Sequence, residues 1–283
     1  MKDDTLGLLV ILAIIGIGAY GGVKNMQRTG STLTIEQRIT LAQNQVDNLK
    51  TKIQNEEDSK NASQYRGVVF LKYVNRSADP KQEYLTIQVD NSIKTNIPLV
   101  GWKIKSLNTG QEYDIPKGTD LFFTNSLNSE GNIILAPGDI VYLITGQSPI
   151  GYSFRTNECS GYLQQFQTFT PYITSMCPRP SDENLSSIPK NALNDSCFDY
   201  LDSMSRCRVE TDNFPPTLTS ECKNFIEDKL NYKSCVNIHK NDKDFYKQEW
   251  RMYLKRSDSI WKQNREHIVL YDNKGLLVDS LTY

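Results

Sequence analysis

The residues of this chain that could do chemistry are six cysteines, two histidines and several groups of acids. The cysteines all lie in one short stretch: Cys159, Cys177, Cys197, Cys207, Cys222 and Cys235. A zinc site would need C-x2-C pairs or neighbouring histidines, whereas the closest two cysteines here are Cys197 and Cys207. Their even number and wide spacing instead predict disulfides, which persist outside the reducing cytosol. Free buried thiols in a cytosolic domain are the alternative.

The six cysteines allow many pairings, and helix geometry disfavours some of them. On one straight helix Cys197 and Cys207 would lie about 15 Å apart, beyond the ~7 Å that a disulfide spans between Cα atoms. An antiparallel pair of helices joined by two disulfides suits the spacing and leaves the first two cysteines to each other. We therefore predict the pairs Cys159–Cys177, Cys197–Cys235 and Cys207–Cys222.

The histidines and acids do not form a recognisable active-site pattern. Nucleophilic catalysis needs a base beside a serine or cysteine, but His239 lies in the polar stretch NIHKND, His267 begins a predicted strand, and no serine lies in G-x-S-x-G. We interpret both histidines as surface residues. The acids at 195–202 and at Asp242 and Asp244 lack a complete calcium loop and are interpreted as solvated helix faces. The sequence thus predicts no catalytic residue, no cofactor and no metal site.

A basic and aromatic stretch at residues 243–267 is the one candidate for ligand binding. Six of its basic residues form a candidate anionic-ligand patch: Lys247, Arg251, Lys255, Arg256, Lys262 and Arg265. A groove for an anionic polymer would combine such charges with Trp250, Tyr253 and Trp261. We favour the alternative, in which the two tryptophans pack into the core and the charges face water above their alkyl stems.

The first element that would position these residues is a run of uncharged, mostly apolar residues at 5–23. A helix of this length spans about 28 Å, which matches the hydrocarbon thickness of a bilayer. The run lacks the basic start and the A-x-A site of a cleaved signal peptide, so it predicts a transmembrane helix. Because disulfides need an oxidising compartment, we expect residues 1–4 to be a cytoplasmic tail and the rest to lie outside the membrane.

Residues 34–58 are predicted to form an amphipathic, coiled-coil-like helix. Thr34 and Gln37 have the spacing of a capping box. Apolar residues then recur at heptad spacing: Ile35, Ile39, Ala42, Val46, Leu49 and Ile53. Together with the small residues Gly18 and Gly22 of the anchor, this stripe at 35–53 favours a parallel homodimer. A single helix lying on its own domain or on lipid headgroups is the alternative.

From Gly67 the hydrophobic period becomes two, which predicts strands. The segments are GVVFLKYVNR, YLTIQVDN, GWKIKS, QEYDIP and IVYLITG, with a closing hairpin in HIVLYDNKGLLVDSLTY. This pattern is typical of an antiparallel sandwich or barrel. Residues 158–256 instead show helical spacing, with helices expected around 163–172, 198–204, 225–230 and 245–254. The predicted fold class is therefore mostly β with an α insertion, α+β overall.

The β segments resemble the lamin tail domain, an immunoglobulin-like β-sandwich. The landmarks occur in the family's order: a strand after Gly101 and Trp102, a turn at Pro137 and Gly138, and Trp261 before the closing hairpin. The resemblance implies a sandwich in two parts, 65–157 and 257–283, interrupted by a helical, cysteine-rich insertion at 158–256. It also implies adhesion, assembly or scaffolding, and the whole arrangement is similar to bacterial membrane-anchored lamin-tail proteins of unassigned function.

These observations lead to one expected function and one alternative. We expect a non-enzymatic, single-pass surface protein that serves as a structural, adhesive or protein-binding module for an extracellular or envelope partner. A net charge of -1 gives no global basic excess, so a nucleic-acid partner is not expected. The alternative is a cell-envelope accessory enzyme or binder that acts on anionic glycan or nucleic acid. Two carboxylates about 5 to 10 Å apart in a pocket would favour the enzyme.

Overall fold

A computed structural model describes residues 34–283, with the side chains of all of them except 50–60. The predicted cytoplasmic tail at 1–4 and the predicted transmembrane helix at 5–23 lie outside the described residues. Within residues 34–283, no helix combines the length and apolar character needed to cross a bilayer. The chain divides into two units, one that ends at Lys60 and one that spans Asn61–Tyr283.

The first unit contains helix α1, Ile35–Lys60, which begins where the sequence predicts. The capping box is confirmed: the Thr34 amide donates to Gln37 Oε1 at 3.0 Å, and the Gln37 amide donates to Thr34 Oγ1 at 3.3 Å. Within the single chain, Ile35, Ile39 and Leu49 of the heptad stripe are exposed.

The second unit is a mixture of strands and helices, which confirms the α+β class. Its strands are β1 Val69–Asn75, β2 Tyr84–Val89, β3 Ile97–Pro98, β4 Lys103–Ser106, β5 Glu112–Asp114, β6 Ile134–Leu135, β7 Ile140–Ile144, β8 Phe154–Asn157, β9 Tyr246–Tyr253, β10 His267–Tyr271 and β11 Leu277–Thr282. Its α-helices are α2 Asp195–Ser203, α3 Ser220–Lys229 and α4 Tyr232–His239. Short 3₁₀ helices lie at Glu158–Gln165, Pro180–Asp182 and Leu185–Ser187.

The strands form two main sheets. The five-stranded sheet has the order β1-β2-β7-β9-β8 and the four-stranded sheet has the order β11-β10-β4-β5, while β3 and β6 pair separately. All neighbours are antiparallel except β7 and β9, which are parallel. The five strand segments and the closing hairpin predicted from the alternating pattern are all confirmed, because alternating residues of these strands face the interior.

Both main sheets contribute to one apolar core. Its buried members include Leu85, Val141 and Trp250 from the five-stranded sheet and Ile104 and Ile268 from the four-stranded sheet. The sheets are also joined by a polar contact, since the β1 amide of Leu71 donates to Asp279 Oδ2 of β11 at 2.7 Å. The core therefore depends on residues far apart in the sequence.

The closing hairpin turns at Asp272, whose carboxylate fixes the turn. Gly275 has a φ of +75° as predicted, and its amide donates to the Asp272 carbonyl at 3.0 Å. Asp272 Oδ1 accepts the amides of Lys274 and Leu276, and Oδ2 accepts the Ser63 hydroxyl at 2.7 Å. Burial raises the pKa of Asp272, but these hydrogen bonds lower it by more, so the net pKa lies below its ordinary value.

The prediction of a helix around 245–254 is wrong, because this segment is strand β9. β9 lies in the five-stranded sheet between the central strand β7 and the edge strand β8. In its second half, Trp250, Arg251, Met252 and Tyr253 are all buried, so both faces of the strand are covered. A strand buried on both faces loses its alternation, and the remaining aromatic spacing then suits a helix equally well.

Residues 158–245, between β8 and β9, carry all six cysteines and are called the disulfide segment below. One apolar cluster joins the segment to the sheets, since Tyr162 and Val236 pack with Phe154 of β8 and Ile144 of β7. A second cluster lies within residues 188–230 and includes Leu201 of α2 and Ile226 of α3. The helices predicted near 198–204 and 225–230 correspond to α2 and α3.

Candidate functional site

All six cysteines form disulfides, as the sequence predicts, but the predicted pairing is wrong. The pairs are Cys159–Cys235, Cys177–Cys207 and Cys197–Cys222, with Cα atoms 5.3 to 6.1 Å apart. The prediction treated the last four cysteines as members of two antiparallel helices. Instead α2 ends at Ser203, four residues before Cys207. Cys207 therefore lies outside the helix, with a positive φ, and pairs with Cys177 in the chain before α2.

The Cys159–Cys235 disulfide brings two distant polar side chains together. Glu158 precedes Cys159 at the start of the Glu158–Gln165 3₁₀ helix, where Asn157 caps the helix by accepting the Cys159 amide at 3.0 Å. His239 lies four residues after Cys235 in α4, on the same face of the helix. The disulfide that joins these elements therefore holds Glu158 near His239.

His239 contacts three carboxylates. Its Nδ1 lies 2.8 Å from Asp242 Oδ2 and 3.6 Å from Glu158 Oε1. Its Nε2 lies 3.2 Å from Glu183 Oε1, which follows the Pro180–Asp182 helix. We call Glu158, Glu183, His239 and Asp242 the histidine–carboxylate cluster. Both ring nitrogens thus have acidic partners, and Nδ1 has two.

Burial differs among the three carboxylates. Glu158 and Glu183 are each only 9% exposed, whereas the side chain of Asp242 is 51% exposed. Among the described residues, the buried Glu158 Oε1 has no hydrogen-bond partner. The backbone closes around the cluster, because the Asp242 amide donates to the His239 carbonyl at 2.8 Å and the Glu158 amide donates to the Phe245 carbonyl at 2.9 Å.

Burial and the interactions within the cluster shift the pKa values of Glu158 and His239. Burial raises the pKa of Glu158 above its ordinary value, although the nearby His239 opposes the shift. Burial alone would lower the pKa of His239, but hydrogen bonds to Asp242 and Glu183, together with the charges of Glu183 and Glu158, outweigh it and raise the net pKa. A site of this kind favours a bound positive charge, either a proton on the imidazole or a cation beside it.

Three members of the cluster offer ligand atoms for a metal ion. One atom from each of Glu158, His239 and Asp242 lies within 4.8 Å of the others. The sequence interpretation of His239 as an isolated surface residue missed this arrangement. The available signal was the i, i+4 spacing of Cys235 and His239, which puts the histidine beside whichever chain segment the cysteine bonds.

The six residues of the candidate anionic-ligand patch do not all lie on the surface. Arg251 is 0% exposed, and its guanidinium is bonded to Glu249 Oε1 at 2.8 Å and to the carbonyls of Pro171 and Tyr172. A buried, fully bonded arginine cannot meet a polymer at the surface. Trp250 and Trp261 are both buried in the sheet core, which agrees with the packing interpretation favoured from the sequence.

The other basic residues of the patch are on the surface, and several lie among acids. Lys255 and Arg256 share an open depression with Glu112, Asp114 and Glu130. Lys255 Nζ lies 3.7 Å from Glu130 Oε2, and Lys247 donates to the Asp244 carbonyl. Lys262 and Arg265 are exposed in the loop before β10. The depression is therefore mixed in charge rather than basic.

The disulfide segment also exposes aromatic side chains. Phe166 is 66% exposed and borders a depression with Tyr200 and Arg208. Tyr172 is also exposed and lines an adjoining depression that shares Gln165 and Arg208. We call this area the Phe166 surface. Exposed aromatic groups beside arginine are typical of protein contact surfaces.

Comparison with known proteins identifies no relative. No protein-family model matches this chain, and no curated protein matches it in sequence. Its function is therefore inferred from its own residues.

Proposed function

We propose that this protein is a non-enzymatic module that is anchored in a membrane by residues 5–23 and displayed outside the cytosol. The observation that carries the proposal is the pairing of every cysteine into three disulfides. Such a set persists in an oxidising compartment, whereas cytosolic glutathione and thioredoxin keep thiols reduced. With the disulfides outside, the amino terminus lies in the cytoplasm.

A lamin-tail-like, immunoglobulin-like sandwich is the proposed scaffold of the module. Supporting observations are the two sheets that share a core, the burial of Trp102 and Trp261 in that core, and the closing hairpin. Gly138, in the turn of the family pattern, has a φ of +80°. On this scaffold the disulfide segment takes the place of a short connection and supplies the specific contacts.

The proposed role of the module is structural or adhesive, through a protein partner that meets the Phe166 surface. Support comes from the exposure of Phe166 and Tyr172, which lie between Cys159 and Cys177, two cysteines that disulfides join to later parts of the disulfide segment. A rigid backbone lowers the entropy lost on binding. The exposed apolar residues of α1 support a parallel homodimer through residues 35–53, which would give the assembly two Phe166 surfaces.

The alternative function expected from the sequence is an enzyme or a binder for anionic polymers. The structure supports it less well than it supports a protein-binding module. Of its six basic residues, Arg251 is buried and Lys255 and Arg256 lie beside three acids. A polyanion would be repelled by those carboxylates at short range. We therefore retain the protein-binding module as the conclusion.

A topology experiment tests the compartment. Intact expressing cells are treated with a membrane-impermeant reductant and then with an impermeant maleimide polymer, and the gel shift of the chain is measured. Because all six cysteines are buried, the reagents are applied in a concentration of urea that loosens the fold and leaves the cells intact. We expect a shift only after reduction, because the six cysteines are paired on the outer side of the membrane. A Lys2→Cys variant is the control, and its added thiol should react only after the cells are permeabilised. Free cysteines that react only in permeabilised cells would contradict the proposal.

A second experiment tests the surface. A photo-reactive phenylalanine analogue is placed at position 166, and in a matched variant at Leu107, which is exposed on the four-stranded sheet side of the unit. We expect position 166 alone to yield a discrete crosslinked protein in intact cells. Equal crosslinking from both positions, or none from position 166, would count against recognition through the Phe166 surface.

A further inference from the structure

We propose that the histidine–carboxylate cluster binds a divalent transition-metal ion, for which Zn²⁺ is the simplest probe. The ligands are His239 Nδ1, Glu158 Oε1 and Asp242 Oδ2. Water completes the coordination on the exposed side of Asp242. This inference is independent of the proposed partner surface and of the membrane topology.

The distances suit a small ion. Zinc lies about 2.0 to 2.2 Å from its nitrogen and oxygen ligands. Two ligand atoms of a tetrahedral zinc site are therefore about 3.4 Å from each other. His239 Nδ1 is 2.8 Å from Asp242 Oδ2 and 3.6 Å from Glu158 Oε1, values on either side of that separation. Small movements of the exposed Asp242 side chain complete the fit. An imidazole nitrogen with two carboxylates favours zinc and its neighbours over calcium and magnesium.

The buried Glu158 oxygen is the second, independent observation. Its Oε1 is inaccessible to water, lacks a hydrogen-bond partner within residues 34–283, and faces His239 Nδ1. Leaving a carboxylate oxygen desolvated and without a hydrogen bond is costly. A cation between Glu158 and His239 removes that cost, because it replaces the missing donor with a coordinate bond.

Glu183 is proposed as a positioning residue rather than a ligand. Its Oε1 lies 3.2 Å from His239 Nε2, the ring nitrogen that faces away from Glu158 and Asp242. A ligating histidine usually donates its other N–H to such a carboxylate, which fixes the tautomer and the ring orientation. With the proton on Nε2, Nδ1 presents its lone pair to the metal.

The surrounding covalent structure keeps the ligands in place. Cys159 is adjacent to Glu158, and Cys235 lies one helical turn before His239, so their disulfide sets the distance between the two ligands. Asp242 is held by the hydrogen bond from its amide to the His239 carbonyl. The site is therefore largely formed before the ion arrives, which favours binding.

Metal binding by the full-length chain, purified with its disulfides intact and treated with chelator, tests the proposal. Equilibrium dialysis against Zn²⁺ with elemental analysis should give one ion per chain. His239→Gln should abolish this binding, and Asp242→Asn should weaken it at least tenfold. Asp242 is the exposed ligand, so its variant is expected to fold. Glu183→Gln should keep the stoichiometry and weaken binding about tenfold, as expected of a residue that orients a ligand.

Two matched variants serve as controls. Asp244→Asn removes an exposed acid two residues from Asp242, and His267→Gln removes the other histidine of the chain. Both should bind Zn²⁺ as the parent chain does. As a second readout, Zn²⁺ should raise the Tm of the parent chain and of both controls, but not of His239→Gln.

Three results would overturn the proposal. The first is no stoichiometric Zn²⁺ in the parent chain, which would leave the cluster as an ion pair between a protonated histidine and carboxylates. The second is equal loss in Asp242→Asn and Asp244→Asn, which would indicate nonspecific attraction of cations by acids. The third is equal or tighter binding of Ca²⁺, since a histidine nitrogen would then have no role in the site.

Discussion

Replacement of the buried Arg251 by methionine offers a sharp test of how the disulfide segment is attached to the sheets. Arg251 in β9 donates to the carbonyls of Pro171 and Tyr172 in the disulfide segment and to Glu249 on its own strand. Its guanidinium also lies 5.5 Å from the centre of the Tyr142 ring. Methionine keeps much of the alkyl volume but removes every donor.

The expected cost follows from the groups that lose their partner. Two backbone carbonyls lose charge-assisted hydrogen bonds, each worth roughly 1.5 to 3 kcal/mol. The partly exposed Glu249 can recover hydration, so we expect a total loss of about 3 kcal/mol in the free energy of unfolding. For a domain of this size that corresponds to a fall in Tm of roughly 6 to 12 °C.

Urea unfolding, followed by tryptophan fluorescence with the disulfides intact, measures the effect. The control is Arg256→Met, because Arg256 is exposed and its guanidinium only stacks over Tyr113 at 5.6 Å. Stacking at such a site is worth less than about 1 kcal/mol. Equal losses in the two variants, or a loss below 1 kcal/mol for Arg251→Met, would refute the argument that Arg251 is structural.

Three further predictions concern the disulfides, the turn of the closing hairpin and the helix α1. Removal of Cys159–Cys235 by serine substitutions should lower the free energy of unfolding by about 4.5 kcal/mol, and removal of Cys197–Cys222 should lower it by about 3.5 kcal/mol. The first loss is larger because the first disulfide closes a loop of 76 residues and the second a loop of 25. Similar urea midpoints for the two variants would contradict this order. The pKa of Asp272 is lower in the folded chain than in the unfolded chain, where it is about 3.9. The charged carboxylate therefore stabilises the fold at pH values above about 3.9. This stabilisation is lost as the pH falls through the lower pKa of the folded chain. At pH 7 the free energy of unfolding of the parent chain should exceed that of Asp272→Asn by about 1 kcal/mol, and the difference should shrink toward pH 3. A difference that does not depend on pH would show that the charge has no role. Ile39→Glu should abolish crosslinked dimers in the membrane, whereas Leu41→Glu should not, because Leu41 is not part of the apolar stripe. Dimers that persist in Ile39→Glu would rule out a dimer contact through this stripe.

The local patterns of the sequence predicted the regular elements well. Thr34 and Gln37 predicted the start of α1, and the apolar pattern predicted seven of the nine strands of the two main sheets, all except β8 and β9, because these signals depend only on neighbouring residues. The turn at Gly275 is similarly local, since a positive φ favours glycine. Strand β9 was missed because burial on both faces removes the alternation by which a strand is recognised.

The long-range features could not be predicted in the same way. The pairing of Cys177 with Cys207 depends on where α2 ends, and a one-turn error in a helix boundary changes which cysteines can meet. The environment of His239 depends in turn on the Cys159–Cys235 pair. Arg251 looked like part of a basic surface because sequence alone does not distinguish an exposed arginine from one that is bonded to buried carbonyls.

The register of β8 and β9 has a consequence for the history and engineering of this fold. Asn157, the last residue of β8, is the register partner of Tyr246, the first residue of β9. The chain thus leaves the sheet and returns to it at adjacent positions, as in a hairpin whose loop has grown to residues 158–245. Such a junction tolerates exchange of its contents, because a loop's closure cost rises only slowly with length. We expect that cassettes of different size can be grafted between these two strands if they cover Ile144 and Phe154 and supply carbonyl partners for Arg251.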